Sequence, residues 1–408
     1  LNINKMKYFY FNLISFVLFM CIDGFVNVGF VWILLKKYNS IFSLGICISI
    51  SSIICYIIQT KSLFIKAAIL KNTNMFFFIK ALILTVFSIY FYFLISNNFF
   101  NKYWIMFSLI LFSGFIFMNY YIIDAFISKY ILIKKITSTQ GSMISQVAMQ
   151  IGTLLGFSIG GKIFHSYGIS GTIKIILSFL GLALCASLIS LFIKDTGTVN
   201  EIIKKNEQET NIATKTEGTL ELWFSAICIL MLSLQIANFN LLIPDILIHS
   251  KGWSAELFGY LSGMASLGAF IASFVVFNGR FYLLFILTFA SIIPLSNFSF
   301  IHIDNTFLCL LIAFLLGFSL NSLRSTFRKN IFDRLKSKDD ISKWMSLSNL
   351  FTFMPRAIFP LFASLLIGSI SREIIFPFVG FFVFITIGVL IIILRIMKSI
   401  STKELLQE

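Results

Sequence analysis

Asp23 is a carboxylate in the middle of an apolar block that runs from about 8 to 35, and Asn27 follows one helical turn later on the same face. A charge at that depth is costly to bury and marks function by default. Such an acid can hold a proton when buried and release it when exposed, or it can contact a cationic solute. A structural acid hydrogen-bonded to a neighbouring helix is the plainer alternative. Asp124 is the second candidate for proton coupling. It lies near the end of a later block, below Asn119, Tyr120 and Tyr121, where it could also reach water or pair with Lys129. Candidates for a polar cavity wall are Asn119, Gln146 and Gln150 one turn apart, Gln235 and Asn238 three apart, and Asn321. Gln235 and Asn238 sit in the second half of the chain at roughly the depth of Asp23 and Asn27 in the first. Arg356 is the only arginine well inside an apolar block. It suits a carboxylate partner or an anionic solute, and Pro355 and Pro360 would bend its helix. Asp245, after Pro244, reads as a solvated rim residue.

The chemistry stops there. No Walker A or HExxH pattern is present. The six cysteines all fall in apolar blocks without CxxC spacing, which supports neither a zinc site nor a disulfide framework. The sequence therefore predicts no catalytic residues, no metal and no cofactor.

The elements that must position these side chains are membrane helices. Of 408 residues, 58% are hydrophobic and only 12% charged, with a mean hydropathy of +0.93. A soluble domain carries roughly 25% charged residues. The apolar residues fall in blocks of about 20, long enough to span a bilayer as helix, whereas a β-barrel would show short alternating segments. Twelve spans are predicted, near 8–35, 40–60, 76–97, 104–127, 143–164 and 170–193, then 219–247, 254–278, 280–299, 304–325, 344–368 and 374–397. The first block reads as a retained helix, because it continues past residue 30 without a small-residue cleavage signal. The stretch 194–217 is rich in Lys, Glu, Asn and Thr and has no apolar face, so it reads as a mobile connector. The net charge of +15 does not point to nucleic acid here, since the basic residues lie between the blocks. With the N-terminus inside, 23 of 32 basic residues fall on the cytoplasmic side, which puts both termini there.

On the fifth span, Gly152, Gly156 and Gly160 share one helix face, with Gly161 beside them. In a lipid-embedded helix this is a packing seam that lets a neighbour approach closely. Twelve spans arranged six and six about a long cytoplasmic loop resemble the major facilitator superfamily, whose folds hold two parallel repeats, each with a nested inverted repeat. Exporters of that superfamily carry a fifth-span signature in which Gly-x-x-x-Gly is followed by Pro-x-x-Gly-Gly. The four glycines stand in register with it, and Phe157 stands at the proline. The links 136–146 and 326–348 occupy equivalent places in the two halves. They run into Ser142, Ser145 and Gln146, and into Ser346, Ser348 and Asn349, with Arg334 ahead of span 11. These features resemble the drug and siderophore exporter branch. The chain departs from the superfamily after span 2. Residues 61–74 keep Lys61, Lys66 and Lys71 but lack the expected Asp and glycines, and the echo after span 8 is only Gly279 and Arg280.

The expected fold is an all-α membrane protein with a six-helix bundle over 1–193, a linker over 194–217 and a second six-helix bundle over 218–408. The resemblance implies a monomeric secondary transporter of the inner (plasma) membrane that exports a small amphipathic molecule against protons by alternating access. The seam would pack span 5 against the other half. An importer or uniporter of a small metabolite is the alternative within the fold, and a membrane-embedded lipid-handling protein or enzyme is the alternative outside it. Membrane lipids are partners in every case, and nucleic acid in none.

Overall fold

The computed structural model describes residues 3–61, 73–97, 99–132, 136–192, 219–275, 282–333 and 338–405, and all regular structure among them is helical. In chain order the helices are α1 (Ile3–Val26), which continues through a π-helical turn (Asn27–Val31) into α2 (Trp32–Lys36); α3 (Ile41–Lys61); α4 (Thr73–Ser96); α5 (Lys102–Leu132); α6 (Ser138–Phe192); α7 (Thr219–His249); α8 (Ala255–Ala272); α9 (Tyr282–His302); α10 (Thr306–Asp333); α11 (Lys338–Leu366); and α12 (Arg372–Leu405). The connector expected over 194–217, the link over 62–72 and the Gly279–Arg280 echo lie outside the described residues.

Among the described residues, nine helices are long and apolar enough to cross a membrane, and two further apolar stretches, Ile41–Ile57 and Leu350–Leu366, are shorter. The chain is thus a multi-pass membrane protein. Spans 5 and 6, expected as separate helices over 143–164 and 170–193, meet at a break within α6. Straight, 54 residues of helix would measure roughly 80 Å, far beyond a hydrocarbon core of about 30 Å. The backbone leaves helical geometry at Gly168 (φ 62°, ψ −155°), a conformation only glycine adopts easily. It does not do so at Phe157, where the resembling exporters carry proline. The basic link after span 10 is largely taken up by the extended ends of α10 and α11.

Bilayer helices gain little hydrophobic drive from contact with each other, so close fit and hydrogen bonds hold them together. α1 lies along α6; α8 lies between α6 and α10; α11 packs on α3 and α7; α9 packs on α10 and α12. Large side chains such as Phe16, Phe19, Phe25, Phe30 and Phe91 fill the interior. Others, including Val86, Phe93, Leu284 and Phe378, face outward, as lipid-facing residues must.

Candidate functional site

The glycine face of α6 fixes how α1 is turned. A methyl group placed at Gly152 would come within 2.7 Å of the Val17 carbonyl oxygen, and one at Gly156 would meet the backbone of Cys21. One at Gly160 would lie 3.0 Å from the Phe25 ring. Gly24 of α1 reciprocates, with its open face against the backbone of Gly156 and Phe157. The seam expected to join the two halves of the chain therefore joins α6 to α1, its own neighbour in the first half. Only Gly161 reaches the second half, where a methyl group would lie 2.9 Å from both the Ala255 carbonyl oxygen and the Gly259 Cα of α8.

With residues 17, 20, 21 and 24 committed to the seam, the next face of α1 and its π turn carries Asp23, Asn27 and Val31. All three line a cavity of about 210 Å³. Its walls come from α1, α3, α5 and α6 on one side and α7, α8, α10 and α11 on the other. Five of the residues singled out from the sequence meet there: Asp23, Asn27, Gln150, Asn321 and Arg356. Aromatic side chains (Phe117, Tyr120, Phe157, Phe239 and Phe258) supply much of the remaining surface.

Asp23 and Arg356 are the charged pair of interest, 9% and 7% exposed. The Asn27 amide donates to Asp23 Oδ1 at 2.6 Å and to the Asp23 main-chain oxygen at 2.9 Å, which clamps the carboxylate one turn ahead of the π turn. Such π turns recur at functional sites. The Arg356 guanidinium carbon lies 5.8 Å from the centre of the Phe117 ring. The Arg356 charge acts on Asp23 across the cavity, but among the described residues neither group forms an ion pair. Asn321 lines the wall while its amide holds α10 to α8 through the Ala269 carbonyl (2.6 Å) and Ser273 Oγ (3.1 Å).

One end of the cavity is shut by close backbone approach. A methyl group at Gly45 of α3 would lie 2.6 Å from the Pro360 carbonyl oxygen and 2.9 Å from Ser364 Cβ of α11. Gly161 and Gly259 close the α6–α8 side, and Trp32 stacks on Phe258 at 5.7 Å between ring centres.

Four other cavity candidates are placed elsewhere. Gln235 Nε2 donates to Asn297 Oδ1 (3.0 Å), and Asn238 Nδ2 donates to the Phe376 carbonyl (3.0 Å), which also accepts from Asn297 Nδ2 (3.0 Å). These side chains knit α7, α9 and α12. The cavity face of α7 is instead Ile236, Phe239 and Asn240, about 100° round the helix. Asn119 and Gln146 are buried outside the cavity wall, without hydrogen-bond partners among the described residues. Asn119 adjoins Tyr120, which takes the cavity face of α5, and Gln146 lies one turn beyond Gln150. The Asp124 side chain lies outside the described residues, as do those of Ser142, Arg334, Ser346 and Asn349. Asp245 is not a solvated rim residue. It is 2% exposed and bridges Arg372 Nη1 (2.6 Å) and His249 Nε2 (3.4 Å), tying α7 to α12. Replacing Asn297 with leucine should lower unfolding stability in detergent by about 1 kcal/mol, the scale of interhelical hydrogen bonds in membranes, while leaving solute binding at the cavity unchanged. Thermal unfolding beside a binding titration checks both.

Sequence reasoning missed several residues. Arg324 counted only as a topogenic charge, yet it lines the cavity. Lys80, passed over within its span, is buried with its ammonium 3.5 Å from the Phe19 ring centre, where a cation–π contact holds it outside the cavity wall. Gly259 and Gly263, four apart on α8, carried the same close-packing signal as the α6 glycines.

No protein-family model and no curated protein sequence matches the chain. The architecture does match a solved one. The crystal structure of a bacterial homolog of the human lysosomal transporter Spinster, in an inward-facing and occupied conformation, superposes with a TM-score of 0.62 at 8% identity, over 97% of this chain and 97% of that one. The chain thus shares, at a distance, the fold of that Spinster homolog.

Proposed function

We propose that the chain is a proton-coupled secondary transporter that exports a small amphipathic molecule by alternating access. The observation that carries this reading is the cavity itself. It lies between α1–α6 and α7–α12, is shut at one end by glycine contacts, and holds a buried carboxylate from one side and a buried guanidinium from the other. On this reading α6 crosses the membrane twice about Gly168, and α3 and α11 complete twelve crossings in two six-helix halves over 1–193 and 218–408, joined by the linker 194–217. The basic residues then place both termini in the cytoplasm, so the shut end faces outward and the cavity faces inward. The likeness to an inward-facing, occupied structure supports the same state.

Asp23 is the proton-responsive group. Its carboxylate loads cargo from the cytoplasm, and a proton taken up from outside displaces that cargo. Asn27 holds the carboxylate in place. Rocking of the halves must open the Gly45–Ser364 and Gly161–Gly259 contacts and close the opposite end. Export rather than import follows from the exporter-like glycine register on α6. The test uses inside-out membrane vesicles with an acid lumen, which should accumulate an amphipathic cargo, and collapsing the pH gradient should abolish the accumulation. Accumulation indifferent to the gradient contradicts coupling, and accumulation only in right-side-out vesicles would favour an importer.

A further inference from the structure

Of the three charged side chains that line the cavity, Arg324 has an interaction of its own, and the other two, Asp23 and Arg356, specify the cargo. Arg356 is buried, and its Nε has no hydrogen-bond partner among the described residues. A guanidinium does not lose its proton in a protein, so only an anion can compensate it. Asp23 differs, because a carboxylate can be neutralised by a proton. In an antiporter, however, cargo is loaded when that proton has left. At that moment the cavity presents a carboxylate on the first half and a guanidinium on the second, with no ion pair to either among the described residues. Leaving both desolvated and unpaired is costly.

From this juxtaposition we infer that the cargo is an amphipathic zwitterion, with its cationic group on Asp23, its carboxylate on Arg356 and its apolar body among Phe117, Phe157 and Phe239. The inference rests on the antiport reading above. A purely anionic cargo would compete with the Asp23 carboxylate for Arg356 and would be favoured by protonation, which gives symport. A purely cationic cargo leaves the guanidinium uncompensated. A zwitterion satisfies both walls, is displaced when Asp23 takes a proton, and links the two halves across the cavity. A volume of about 210 Å³ fits a bicyclic aromatic body with a short charged chain.

The test is equilibrium binding by calorimetry to the full chain in nanodiscs, with no gradient imposed. The probes are 3-(2-naphthyl)alanine and naphthylalanyl-glycine as zwitterions, 3-(2-naphthyl)propionate as the acid, and 2-(2-naphthyl)ethylamine as the amine. At least one zwitterion should bind tenfold or more tighter than both the acid and the amine, roughly one charge-assisted contact. Arg356→Gln should weaken the zwitterion and the acid but not the amine, and Asp23→Asn the zwitterion and the amine but not the acid. Should either variant fail to fold, the ranking of the probes on the wild-type chain decides alone. If neither zwitterion outbinds both single-charge probes, or if the acid alone binds best, the inference is overturned. Because the measurement involves no transport, a zwitterion ranking that persists in a protein showing no gradient-driven flux would count against the antiport reading and not against the charge reading of the cavity.

Discussion

Asp23→Asn should abolish gradient-driven accumulation while leaving the fold intact. The substitution keeps the shape and the reach to Asn27 but removes both the charge and the titration. Accumulation in acid-lumen vesicles should fall to the background of vesicles without the protein. A structural role would give the opposite pattern. Asp23 Oδ1 accepts a 2.6 Å bond from Asn27, so an acid present for packing would reveal itself as lost stability. A buried charge without an ion pair contributes little stability, and its removal is often neutral or stabilising. The unfolding temperature of Asp23→Asn should therefore equal or exceed that of the parent while transport is lost. Unimpaired gradient-driven transport in a folded Asp23→Asn protein would end its assignment as the coupling group.

Gly156→Leu should do the reverse and remove the folded protein. The first carbon of a side chain at 156 already meets the main chain of Cys21, and Gly24 faces back at the same spot. Backbone cannot move aside as a flexible side chain can, so α1 and α6 must separate. Overpacking usually costs about 1–3 kcal/mol, and separating a whole seam should exceed about 3 kcal/mol. The loss would appear as aggregation on size-exclusion chromatography. It also bears on function, because the seam sets the rotation that turns Asp23, Asn27 and Val31 into the cavity. Gly181 and Gly388 have no neighbour within 4 Å of the added carbon and serve as controls, since leucine at either should be tolerated. Equal tolerance at Gly156 would show that the seam does not hold α1 in place.

These contrasts show what could be read from the residues alone. Depth was legible: an acid at mid-block, an arginine well inside its apolar block and the cavity residues Gln150 and Asn321 all follow from position along apolar segments. Rotation was not. Gln235 and Asn238 have the depth of Asp23 and Asn27, but α7 is turned by its packing on α9 and α12, and no local pattern encodes that. The partner of a seam is equally hidden. Gly152, Gly156 and Gly160 announce a close approach by their spacing, but the helix they receive is marked on its own side by a single Gly24. The boundary between spans 5 and 6 was legible too, since the short link expected between 164 and 170 holds Gly168, where the backbone leaves helical geometry. Asp245 was misread because its partners, Arg372 and His249, come together only once α7 and α12 pack.

The most direct test of alternating access about this cavity is to lock its shut end. In a cysteine-free background, Gly45→Cys with Ser364→Cys places two thiols across the α3–α11 contact. Their Cβ atoms are 2.9 Å apart as built, and a slight opening brings them to the roughly 3.8 Å of a disulfide. Oxidation should stop transport and leave a cavity thiol, Ser266→Cys, open to a membrane-impermeant reagent from the cytoplasmic side only. Reduction should restore transport. Transport that continues at the unlocked rate with the disulfide formed would contradict the account.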